Sequence, residues 1–99
     1  MTKLSVTHVA GDRFEIQVRG HQLVCDQPLA DGGSDQGPTP TELFIGSLAA
    51  CVAYYARRFL ARHEIDPGGP RVDAGLTMSA NPPARVDAID LRLVSSTSR

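Results

Sequence analysis

Between Thr39 and Ala56 the chain joins an unmistakable helix start to 14 residues with hardly a polar side chain, and few folds can accommodate that combination. Thr39-Pro40-Thr41-Glu42 places threonine at the N-cap, proline at the first helical position and glutamate at the third. Hydroxyl and carboxylate can then each satisfy a backbone N–H that the first turn leaves without a partner. The helix is predicted to begin at Pro40. From Leu43 to Ala56 it is apolar on nearly every side, with Gly46, Ser47, Ala49, Ala50 and Ala53 small enough for close approach of neighbouring elements. Such a helix is expected to be buried. Cations return at Arg57, Arg58, Arg62 and His63, where they suit the C-terminal end of the helix dipole, and Asp66-Pro67-Gly68-Gly69 is expected to stop it. About 24 residues at ~1.5 Å each give a helix of roughly 36 Å, long for a small domain.

Strand-like segments flank this helix. Phe14, Ile16 and Val18 alternate with Arg13, Glu15, Gln17 and Arg19, the period-two pattern of a half-buried strand. Turn signals at Gly11-Asp12 and Gly20 divide residues 3–10, 13–19 and 21–27 into an antiparallel three-stranded meander. The third strand carries apolar groups on both faces. A connection rich in glycine and proline, Pro28 to Pro38, reads as a mobile loop of the length that often serves function. Beyond the helix, Val72, Ala74, Leu76 and Met78 alternate with polar or small residues, and Ile89, Leu91 and Leu93 do so after a turn at residues 79–84. These form a two-stranded hairpin. The fold class is α+β: residues 1–94 form one domain and 95–99 a polar, disordered tail.

Composition bounds the function. Ninety-nine residues make one domain that buries roughly 60–65% of its unfolded surface, marginal for a monomer, and leave no room for a second, cofactor-binding domain. No cofactor is expected. Ten basic against eleven acidic residues provide no net field for a nucleic acid. The N-terminus has no apolar run of signal-peptide type, and the 14-residue apolar stretch falls short of the roughly 20 needed to span a bilayer. A soluble, cytoplasmic protein without membrane association is expected. Cys25 and Cys51 are too few for a secreted disulfide framework, and no Cys/His cluster has metal-ligand spacing.

Thiol chemistry remains open. Cys51 lies 12 residues after the N-cap, too far into the helix for the N-terminal dipole to activate it, so a reactive thiolate needs a cation brought to it. Arg13, Arg19 and Arg58 are the candidates; Arg58 stands seven residues on, along the same helical face. The plainer reading of Cys51 is a small core residue. Glu42, nine residues before Cys51, falls on the opposite face of a straight helix and about 13 Å away along the axis, which favours a capping role. Cys25 reads as a small strand residue, His8 and His21 as surface or strand-edge residues, and Tyr54 and Tyr55 as core or pocket wall.

The residues His21, Asp26, Pro28, Gly32-Gly33, Gly37-Pro38-Thr39-Pro40-Thr41-Glu42-Leu43-Phe44 and Leu48-Ala49-Ala50-Cys51 together resemble the OsmC/Ohr family of thiol-dependent peroxidases, most closely its OsmC-like branch. The resemblance implies an α+β fold in which two chains intertwine around their long helices, with the thiol sites near the interface. It also implies reduction of organic hydroperoxides or hydrogen peroxide by a peroxidatic cysteine, assisted by an arginine and a glutamate and followed by a disulfide with a second cysteine. Cys51 matches the peroxidatic cysteine and Arg13 is the best match for the arginine. The family's glutamate falls at Thr41, with Glu42 at the following position. The chain corresponds to about the first two-thirds of the family domain, without the helical segment bearing the second cysteine or the closing strand. Three functions are therefore weighed: a peroxidase acting through Cys51, Arg13 and Glu42 with a thiol reductant; a non-catalytic dimeric binding domain; and an inactive truncated copy. A homodimer is also expected on physical grounds, because one small sheet cannot cover a helix that is apolar all round.

Overall fold

The computed structural model describes residues 2–63, 70–79 and 86–94. Three strands, β1 (Leu4–Ala10), β2 (Arg13–Val18) and β3 (His21–Cys25), precede one turn of 3-10 helix at Leu29–Asp31. The long helix α1 (Pro40–Arg62) follows, then β4 (Arg71–Met78) and β5 (Val86–Val94). Meander, helix and hairpin thus follow in the predicted order. The expected stop at residues 66–69, most of the turn at 79–84 and the tail 95–99 lie outside the described residues. The chain divides into two compact units, Met1–Leu43 and Phe44–Arg99.

In the first unit, β1, β2 and β3 pair antiparallel in sequence order. The register stacks Val6, Ile16 and Leu23 in one column and His8, Phe14 and Cys25 in the next. The side of β3 that joins Phe14, Ile16 and Val18 is therefore His21, Leu23 and Cys25. Arg19 and Gly20 connect β2 to β3 with φ of 49° and 81°. Two successive left-handed residues define the tight turn whose twist matches that of paired strands. At the other end the His8 ring nitrogen Nε2 bonds the Gly11 carbonyl at 2.8 Å and the ring lies against Phe14.

The 28–38 segment is held in place, contrary to the mobile loop expected from its glycines. Asp26 has 1% of its surface exposed, and its carboxylate accepts the N–H groups of Gln27 at 2.7 Å and Gln36 at 3.1 Å. The Asp26 N–H donates to the Pro38 carbonyl, and that of Asp35 to the Gln27 carbonyl. Two glycines permit the close return of the chain: a Cβ on Gly33 would collide with the Gln27 backbone, and one on Gly37 with the Val24 carbonyl. The segment ends at Thr39, where the predicted capping box forms in both directions. The Thr39 N–H donates to Glu42 Oε1 at 2.9 Å, and the Glu42 N–H to Thr39 Oγ1 at 3.1 Å.

In the second unit β4 and β5 pair antiparallel, facing Val72 with Leu93, Ala74 with Leu91 and Leu76 with Ile89. The buried helix expected from the sequence is not what the single chain presents. Ile45 is the one buried residue of α1 among those described, while Phe44, Tyr54, Tyr55 and Phe59 are each more than half exposed. The sequence pattern records that the helix needs apolar cover; the chain alone does not supply it. At 23 residues α1 is also long and apolar enough to cross a membrane by length and composition, as the core helix of a soluble protein can be. Length therefore does not exclude a span, as the 14-residue count suggested.

Candidate functional site

Cys51 occupies the middle of α1 with its thiol free and exposed, not buried in a core. Residues three, four and seven positions along a helix share a face, so Tyr54, Tyr55 and Arg58 surround it on the C-terminal side. The two tyrosine rings meet edge to face, with centroids 5.1 Å apart and planes at 73°. Arg58 Nη1 donates to the Tyr54 hydroxyl at 2.9 Å, and its guanidinium carbon lies 5.7 Å from the Tyr54 ring centroid. A nucleophilic sulfur type, two aromatic surfaces and a cation thus occupy one face of one helix. One turn earlier, Ser47 donates its hydroxyl to the Phe44 carbonyl, which keeps that polar group within the helix. No group of three or more His, Cys, Asp or Glu residues that could hold a metal occurs among the described residues.

The other candidates lie in the first unit, on the sheet and in the first turn of the helix. The Glu42 carboxylate is engaged by the Thr39 N–H, the capping role its position favours. Arg13 opens β2, and its positive charge acts on Asp26. The Asp26 carboxyl is held below the ordinary aspartate value of 3.8, first by the Gln27 N–H and, against the effect of burial, by the N–H groups of Gln36 and Ser34 and the charge of Arg13. Cys25 is 4% exposed and its Sγ contacts the Phe14 carbonyl at 3.7 Å, a weak thiol hydrogen bond inside the sheet. Sequence reasoning missed two features: Asp26 as the hub of the 27–38 segment and Tyr54 as a partner of Arg58. The second was within reach, since i and i+4 on a helix are neighbours.

The α+β sequence of meander, long capped helix and hairpin, with a cysteine at mid-helix, defines a recognisable class. Residues 32–99 match the model of the OsmC-like protein family, and the chain belongs to that family. Solved structures agree on the fold. A protein from Psychrobacter arcticus, described as an osmotic stress induced and detoxification response protein, superimposes with a TM-score of 0.89 at 24% identity, over 100% of this chain and 73% of its own. The organic hydroperoxide resistance protein OsmC of Legionella pneumophila gives 0.60 at 18% identity, over 94% and 66%. A Vibrio cholerae protein described as an organic hydroperoxide resistance protein, with captopril bound in one of its active sites, gives 0.59 at 20%, over 92% and 62%. The chain thus spans roughly two-thirds to three-quarters of the lengths of these relatives. No curated protein matches it by sequence.

Proposed function

We propose that the chain is a thiol-dependent peroxidase that reduces organic hydroperoxides or hydrogen peroxide through Cys51, acting as a cytoplasmic homodimer. The observation that carries this reading is the setting of Cys51 in a member of the OsmC-like family: an exposed thiol on a helix face with two tyrosine rings and an arginine. The thiolate attacks the distal peroxide oxygen and becomes a sulfenic acid while the alcohol leaves. Apolar rings beside the sulfur suit the organic part of a hydroperoxide. Arg13 and Glu42, which the resemblance nominates, act at a remove from the sulfur: the charge of Arg13 favours the ionised Asp26, and Glu42 caps the start of α1. Burial of Cys25 against Phe14 favours a small thiol, rather than Cys25, as the group that returns Cys51 to its reduced form.

Exposure along the helix supports the dimer. Phe44, Tyr55 and Phe59 of α1 are each more than half exposed, and a face of that size and apolarity calls for cover. A second copy laid on the aromatic face of α1 would cover Phe44, Tyr55 and Phe59 and turn the open surface around Cys51 into a walled pocket. A membrane would cover the same face, but Arg57, Arg58 and Arg62 lie within its last two turns, and Arg58 is tied to Tyr54 beside the cysteine.

Consumption of cumene hydroperoxide with dithiothreitol as reductant tests the chemistry. Saturable turnover that disappears in Cys51→Ser is expected, and turnover persisting in that variant would overturn the reading.

A further inference from the structure

Around the helix axis, Tyr54, Tyr55 and Arg58 fall within roughly 60° of Cys51 at about 100° per residue. Helical side chains lean toward the N-terminus, so the patch covered by the two tyrosines lies over the turn that carries Cys51. The Arg58 backbone stands about 10 Å further along the axis than that of Cys51. Its side chain, however, runs back along the helix: one of its five N–H donors reaches the Tyr54 hydroxyl, and the guanidinium lies over the Tyr54 ring. The bond draws the charge back along the axis toward the turn that carries Cys51, on the Tyr54 flank of that face. Arg57 carries the same charge but projects about 120° away around the helix.

We propose that Arg58, drawn back by Tyr54, is the anion-binding group beside Cys51. The inference rests on the reading of Cys51 as the nucleophile. In the peroxidase step the Cys51 thiolate bonds to the distal oxygen of the hydroperoxide as the O–O bond breaks. The sulfur loses two electrons to become a sulfenic acid that keeps the distal oxygen and its hydrogen, and the alkoxide departs and takes a proton from water. Arg58 meets the negative charge that develops on the departing oxygen. Tyr54 touches no reacting atom; it is a positioning residue that fixes the guanidinium.

Two alkylating reagents of opposite demand provide the test: iodoacetate, an anion, and iodoacetamide, its neutral analogue, with the modification followed at Cys51 by mass spectrometry on the full 99-residue chain. In Arg58→Gln the ratio of the iodoacetate to the iodoacetamide rate falls roughly two- to fivefold, the size of one charge contact at about 4–8 Å in water. The difference from the unmodified chain shrinks as salt is raised. Tyr54→Phe, which keeps the ring but loses the hydroxyl, shows part of the fall, and Arg57→Gln shows none. A variant that merely disturbed the helix would change both rates together. An unchanged ratio in Arg58→Gln overturns the proposal, and so does an equal fall in Arg57→Gln, which would mark an effect of net charge. Neither reagent is a peroxide, so a chain with the Arg58-dependent ratio but no hydroperoxide turnover would refute the peroxidase reading and leave this inference standing.

Discussion

Asp26 is the residue on which the path into the helix depends. Its carboxylate gathers N–H groups that lie one and ten residues away in sequence, and its own N–H reaches Pro38. Its folded-state pKa is lowered, so the stabilisation is fully present above the ordinary aspartate value and is lost as pH falls through the lower folded-state value. Urea midpoints measured from pH 7 down to pH 3 should therefore decline more steeply for the unmodified chain than for Asp26→Asn, which is also the less stable of the two at pH 7. Parallel pH profiles would contradict this. Gly33 belongs to the same construction. Gly33→Ala forces the added methyl against the Gln27 backbone, and denaturant unfolding should register a loss of about 1–3 kcal/mol. None of this was legible in the sequence: hydrogen bonds to a single carboxylate leave no periodic trace, and glycines that allow close approach look the same as glycines that allow motion.

At the scale of elements the sequence was most readable where its signals are local. The helix start at Pro40 and the turns at Gly11 and Gly20 follow from cap and turn chemistry confined to four residues, and β1 to β3 follow from alternation between those turns. Strand ends differ by one or two residues, as at β3, which closes at Cys25 where the backbone turns toward the Asp26 hub. The capping box carries its own prediction. Thr39→Ala should cost about 1 kcal/mol in thermal or urea unfolding. Because the two bonds are reciprocal, the loss in Thr39→Ala combined with Glu42→Ala should be smaller than the sum of the single losses; strict additivity would mean that the two side chains act independently. Glu42→Gln keeps an acceptor at that position and separates capping from charge. Stability close to that of the unmodified chain with hydroperoxide turnover retained is expected if capping is the work of this side chain.

For the whole molecule, the cover for α1 could not be read from sequence, because a hydrophobic pattern states that a face must be covered and not by what. The face lined by Phe44, Tyr55 and Phe59 is exposed in the single chain, and a second copy is the proposed cover. Light scattering at micromolar concentration without detergent should return about twice the chain mass. Phe59→Lys should shift that value toward the monomer, since a charge at a covered apolar site is left without compensation. A chain that is monomeric and stable before the substitution would contradict the dimer. The central claim concerns Cys51, and its most direct measurement is the rate at which that residue gains one oxygen when the reduced chain meets a micromolar hydroperoxide, followed by quenched-flow mass spectrometry. A peroxidatic Cys51 should reach the sulfenic acid at least about a hundredfold faster than a free cysteine at the same pH, equivalent to roughly 3 kcal/mol of transition-state stabilisation. A rate no greater than that of the free amino acid would contradict it.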